Sequence, residues 1–136
     1  MSMFNFFRKK FKSDIYSLEA LVDYANKDKY FVRVAHFMEF NFNQSSITVI
    51  DPHGPRMITM DPWPERIFLN ATGKLTIKEY IEETAKKYRG SVPDQLDSFI
   101  ISELGKLVFE YKIIELTDIP NALKPEFEKP IPRDKK

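Results

Sequence analysis

The two histidines of this 136-residue chain, His36 and His53, and the acids around them are the first places to look for chemistry. Asp51 and His53 stand two apart in the turn Asp51-Pro52-His53-Gly54-Pro55, a spacing that puts a carboxylate and an imidazole within reach of one metal ion. Two ligands with no third histidine or carboxylate nearby are an incomplete zinc set, so no metal is expected there. His36 lies in a β-branched and aromatic run, where a structural hydrogen bond is the expected role of an imidazole. Glu82-Glu83 and Glu126/Glu128 are adjacent or alternating acids of a solvated surface. Gly54, Gly73, Gly90 and Gly105 are too scattered for a phosphate loop. The chain has no cysteine, which excludes disulfides, thiolate zinc, iron–sulfur clusters and a cysteine nucleophile together. The expectation is a protein without catalysis and without a cofactor.

The elements that would position any site centre on Ile67–Leu116. The glycine turn Gly73-Lys74-Leu75 leads into Thr76-Ile77-Lys78-Glu79, a capping box in which the threonine hydroxyl takes the Glu79 N–H and the glutamate reaches back to the Thr76 N–H. A helix therefore begins at Thr76, with Ile77, Tyr80, Ile81 and Ala85 on one face, cations Lys86, Lys87 and Arg89 at its end, and Gly90 as its stop. Ser91 and Pro93 are expected to open a second helix, with Asp94 and Asp97 at its positive end and Leu96, Ile100, Leu104, Leu107 and Tyr111 as its core stripe. Two capped helices on a short glycine turn make a helix-turn-helix or winged-helix core.

Upstream, Ile15, Leu18, Leu21, Val22 and Ala25 recur at helical spacing, with Asn26 as a stop. Tyr30–Phe40, Ser46–Ile50 and Arg56–Met60 read as three strands joined by turn clusters at Asn41–Gln44 and Asp51–Pro55, giving a three-stranded antiparallel meander. Asp61 and Pro62 suit the start of a short helix through Leu69, with Trp63 and Ile67 four apart. The fold class is α+β: an N-terminal helix, the meander and a winged-helix-like three-helix half. Residues 1–29 form a basic aromatic arm and added helix, 30–118 the domain, and 119–136 a proline-rich, extended and mobile tail. An apolar fraction of 43% supports one core, net charge is +1, and no apolar run approaches the roughly 18 residues that span a bilayer. The N-terminus also lacks a signal-peptide core, and a cytoplasmic location is expected.

The order of elements, with Ile67-Phe68-Leu69, Gly73, Lys74, Thr76, Ile77, Glu79 and Ile113-Ile114, resembles the PqqD-like family of winged-helix-like precursor-peptide recognition elements. Two departures stand out: Tyr111-Lys112 replaces a glycine usual before the final apolar pair, and the first 29 residues and the proline tail exceed the minimal domain. The resemblance implies a chaperone or adaptor that binds a ribosomally made precursor or leader peptide for a separate modifying enzyme. The peptide would add as a strand beside Arg56, Met57, Ile58, Thr59 and Met60, facing a wall of Ile101, Gly105, Val108 and Phe109. Gly105 weakens a helix interior by about 1 kcal/mol relative to alanine, so either a peptide or the N-terminal helix is expected to use the dent it leaves. Met57 and Met60 are either adaptable lining or core filler.

Two rivals come from other classes. One is a structural interaction module that docks a protein through the arm (Phe4, Phe6, Phe7, Phe11 with Arg8, Lys9, Lys10, Lys12) or the tail, its groove filled by its own helix. The other is winged-helix DNA binding, which the acids Asp94, Asp97, Glu103 and Glu110 on the last helix oppose. An open strand edge also admits pairing of two copies.

Overall fold

The computed structural model describes residues 18–41, 45–88 and 92–132. The arm Met1–Lys12, the turn at 42–44, Arg89-Gly90-Ser91 and the last basic residues lie outside them. The described chain is mixed α+β, with four helices and two small antiparallel three-stranded sheets. In order these are α1 (Glu19–Val22), β1 (Tyr30–Arg33), β2 (Phe37–Asn41), β3 (Ser45–Ile50), β4 (Met57–Thr59), α2 (Pro62–Leu69), β5 (Thr72–Thr76), α3 (Ile77–Lys86), α4 (Leu96–Gly105) and β6 (Ile114–Thr117). A π-helical turn, Lys106–Glu110, continues α4, and a 3₁₀ turn, Pro125–Phe127, lies beyond β6.

The meander is β2-β3-β4, with Phe37 opposite Val49 and Val49 opposite Ile58. Its inward residues Phe37, Ile47, Val49 and Ile58 join the core. The expected single strand Tyr30–Phe40 is instead two. It breaks over Val34–His36, where Ala35 is buried, and β1 leaves for the second sheet, order β5-β1-β6. The break lets Phe31 and Phe37 fill one core from different sheets, Phe31 edge-on to Tyr80 and Phe37 edge-on to Phe68.

The segment expected as a glycine turn is the strand β5. Between the pairs Tyr30–Thr76 and Val32–Thr72 two extra residues bulge out of β5, and Gly73, at φ 80°, supplies the left-handed backbone the bulge uses. The capping box then starts α3: Glu79 N donates to Thr76 Oγ1 at 3.1 Å and Thr76 N to Glu79 Oε1 at 2.9 Å. Ile77, Tyr80, Ile81 and Ala85 are all buried, as their spacing requires.

The last helix begins later than Ser91 and Pro93 suggest, at Leu96. Asp97 in its first turn is buried, accepting the Leu21 N–H at 3.1 Å and tying α1 to the start of α4. Leu96, Ile100, Leu104 and Leu107 form the buried stripe, while Tyr111 is half-buried. The π turn releases the chain at Lys112, which takes φ 55°. Ile113 and Ile114 therefore do not end the helix. They are buried as the chain enters β6 beside β1.

The proline-rich tail is extended but held to the body. Asn121 N donates to Gly73 O at 2.6 Å, and Ile131 N donates to Phe37 O at 2.8 Å on the outer edge of β2. Between these points Arg33, only 5% exposed, grips it: Nε donates to Phe127 O at 2.9 Å and Nη2 to Glu128 O at 3.0 Å, while Nη1 reaches Leu69 O at 3.0 Å and Phe68 O at 3.4 Å. One guanidinium thus joins the C-terminal end of α2 to the tail, flanked by the rings of Phe37 and Phe68. Burial pushes its pKa below the ordinary arginine value, with the nearby Glu128 carboxylate opposing.

Candidate functional site

The candidate site is the outer edge of β4 and the helix that runs beside it. Among the described residues β4 pairs only with β3, and the bond from Asp51 N to Arg56 O at 3.1 Å fixes which way its main chain points. Residues 51 and 56 are a hydrogen-bonded pair, so by antiparallel alternation 49 and 58 are the next. Ile58 therefore turns its N–H and C=O inward to Val49. Met57 and Thr59 turn theirs outward, and among the described residues no other strand takes them. From Arg56 to Met60 the edge spans about 13 Å, at about 3.3 Å per residue, matching four or five residues of an added strand.

Both ends of this run are fastened to α4 and its π turn. At one end the Arg56 guanidinium lies 5.7 Å from the centre of the Tyr111 ring, and His53 Nε2 is 3.1 Å from Lys112 O. Asp51 organises that end: one carboxylate oxygen accepts Arg56 Nε at 2.6 Å and the other accepts His53 N at 2.8 Å. The hydrogen bond from Arg56, helped by that from the His53 backbone, holds the Asp51 carboxyl below the usual aspartate range, and raises Arg56 in turn. The Asp51/His53 pair is thus a latch, with both Asp51 carboxylate oxygens and His53 Nε2 engaged by protein groups. At the other end Trp63, the first turn of α2, meets Phe99 of α4 edge-to-face with centroids 5.6 Å apart.

Of the residues expected to form the site, Ile58 is buried and supports β4 from beneath. Thr59 is exposed, and Met57 is exposed by 55%. Met60 packs half-buried on the core. Arg56 is drawn into the latch. Ile101 and Val108 are half-buried against the core and Phe109 is 65% exposed. Gly105 is helical, and a methyl group built on it meets no described atom within 4 Å. The described part of the N-terminal helix packs at Asp97, at the start of α4, rather than over this dent.

Composition and periodicity did not mark Phe99, Trp63, Tyr111 or the Asp51 latch as part of this site. The one signal was Trp63, a lone tryptophan beside a strand end. Phe99, 41% exposed, joins Met57 and Phe109 among the large apolar side chains that face solvent. The arrangement offers outward main-chain donors and acceptors, an apolar flank and a glycine dent, which is the chemistry of holding an extended backbone.

None of the family models, curated proteins or solved structures compared with this chain matches it. The likeness to the PqqD-like domains rests on the residues quoted for it.

Proposed function

We propose that this protein is a non-catalytic, PqqD-like peptide-binding adaptor whose helical half is winged-helix-like, and that it presents a ribosomally made precursor peptide to a separate modifying enzyme. The peptide adds to β4 as a fourth strand, bonding to the outward groups of Met57 and Thr59, and lays side chains against Ile101, Gly105, Val108 and Phe109. The observation that carries this reading is the asymmetry of the β2-β3-β4 sheet. Its β2 edge takes one hydrogen bond, at Phe37, from the chain's own tail, whereas its β4 edge, anchored near both ends, is left unpaired by any described residue. The Lys112 backbone is compatible with this reading: the residue adopts a left-handed conformation, which glycine takes most readily, at the place where the resemblance expects a glycine.

The test is a pair of proline substitutions judged against a third. Met57→Pro and Thr59→Pro each remove one outward N–H and leave the ladder to β3 intact. Each is expected to weaken binding of leader segments from peptides encoded beside the gene by about fivefold or more, the worth of one net hydrogen bond of about 1 kcal/mol, with circular dichroism unchanged. Ile58→Pro breaks the bond to Val49 and is expected to disrupt the hairpin itself. Folded Met57→Pro and Thr59→Pro proteins that bind as the parent does would overturn strand addition at β4. Trp63 fluorescence and amide protection at Met57 and Thr59 supply the readouts.

A further inference from the structure

Trp63 also belongs to a second feature. Together with Arg66, Asn70, Tyr80, Lys87 and Tyr88 it lines a cavity of about 150 Å³ between α2 and α3. The lining holds two cations and no carboxylate. Arg66 places its guanidinium 4.7 Å from the centre of the Trp63 ring, and among the described residues neither Arg66 nor Lys87 has an ion-pair partner. Tyr80 forms part of the wall. It is 5% exposed, and its buried hydroxyl has no hydrogen-bond partner among the described residues. Thr84, one turn on, stands close enough to oppose the rise that burial causes in the phenol's pKa, but not in hydrogen-bonding geometry; Arg66 opposes it too. A buried hydroxyl left without a partner is rare and calls for a reason.

We propose that this cavity is a carboxylate subsite: it receives an acidic side chain of about glutamate length from a peptide that leaves the β4 edge at its Trp63 end. At roughly 30 Å³ for each water-sized group, the volume holds a carboxylate and the short stem that carries it. Arg66 and Lys87 supply charge-assisted donors, the Tyr80 hydroxyl gains an acceptor once the ligand displaces the side chains over it, and Trp63 and Tyr88 flank the methylenes. The chain path suggests the source: β4 leads through Met60 and Asp61 into the helix whose first turn carries Trp63, a lining residue of the cavity. That the carboxylate belongs to a peptide rests on the strand-addition reading; the anion chemistry of the cavity does not.

The experiment uses the full chain and its single tryptophan, Trp63. The probes are N-acetyl-glutamate N-methylamide, whose only charge is the side-chain carboxylate, its neutral glutamine counterpart, and inorganic phosphate. Saturable change in Trp63 fluorescence is expected with the glutamate probe, about tenfold weaker with the glutamine probe, as loss of a charge-assisted hydrogen bond predicts. Arg66→Gln and Lys87→Gln are each expected to weaken it severalfold. Tyr80→Phe should weaken it while leaving thermal stability equal or higher, since it removes an unpartnered hydroxyl, a combination that a purely structural tyrosine would not give. Equal response to the two amino-acid probes, preference for phosphate, or indifference to all three substitutions would overturn the subsite. A leader segment that still protects Met57 and Thr59 while the glutamate probe leaves Trp63 unmoved would sink the subsite and keep the groove. The reverse result, with the probe bound and no peptide protecting β4, would sink the peptide source and with it the proposal as stated.

Discussion

The two edges of the β2-β3-β4 sheet are built from similar residues and end in opposite states. On β2 the outward carbonyl of Phe37 takes the N–H of Ile131, and the tail that brings it there is gripped by Arg33. On β4 the outward groups of Met57 and Thr59 meet no described strand, although the run is fixed at the Tyr111 and Trp63 ends. An unpaired edge invites aggregation unless something manages it. This protein meets one edge with a hydrogen bond from its own tail and, among the described residues, leaves the other without a partner. The β4 edge is nevertheless not a fraying end of the sheet: it is anchored near both ends, by Arg56 on Tyr111 and by Trp63 on Phe99, with no described residue paired along it.

The comparison is broken most severely at Arg33. Replacing it by methionine keeps the stem and removes the donors to Phe68, Leu69, Phe127 and Glu128. Hydrogen bonds to a charged group are worth about 1.5 to 3 kcal/mol each net of exchange with water, and, with the cost of burying the guanidinium removed at the same time, a loss of about 3 kcal/mol in urea unfolding is expected for Arg33→Met. The tail should also detach, so the β2 edge becomes reactive. Concentration-dependent self-association by light scattering is expected in the variant and not in the parent. A monomeric Arg33→Met protein with parental stability would mean that the tail does not guard that edge.

The legible parts of the fold were those whose cause is local. Thr76 and Glu79 are three residues apart and form their capping box within one turn, and the α3 and α4 stripes follow from spacing alone. The meander was readable because its turns are short. The second sheet was not, because β1, β5 and β6 are four or five residues each and find one another across tens of residues, and because Gly73 signals a turn and a bulge equally well. The attachment of the tail was not legible for a related reason: its composition is that of a free chain, and the arginine that contacts it is 94 residues away. For the candidate site, the Arg56–Met60 edge and the Ile101, Gly105, Val108 and Phe109 wall came from the family resemblance, with helical spacing adding only that Ile101, Gly105 and Val108 share a face. The cavity was not legible, since Lys86 and Lys87 read as a helix terminus, Tyr80 as core and Trp63 as half of an apolar pair, and only packing α2 on α3 brings them together.

A smaller break lies where the tail crosses β5. Gly73 sits at φ 80°, and a methyl group there would lie 2.8 Å from Ala122 N and 3.2 Å from Asn121 N, both backbone atoms that cannot swing aside. The left-handed conformation alone disfavours alanine by about 1 to 2 kcal/mol, so Gly73→Ala is expected to lose about 2 kcal/mol, with the bond from Asn121 N to Gly73 O lost first. Amide exchange at Asn121 and Ile131 checks it: both should lose protection, while Ile58, on the other side of the sheet, keeps its own. Loss of protection at Ile58 as well would show that the two edges are not independent.

Gly105 gives the smallest effect and the sharpest division between stability and function. It is helical at φ −59° and ψ −35°, and no described atom stands within 4 Å of the methyl that alanine would add. Folding alone therefore gains from the change, because glycine costs about 0.5 to 1 kcal/mol more backbone entropy than alanine inside a helix. Gly105→Ala is expected to raise the free energy of unfolding by that amount and, at the same time, to weaken leader-segment binding by filling the dent between Ile101 and Val108. Opposite signs for the two quantities are what a glycine kept for a ligand requires. A variant that is more stable and binds as well as the parent would move the peptide away from this face of α4 while leaving the β4 edge itself in play, and a variant that is less stable would mean that residues outside the described chain already occupy the dent.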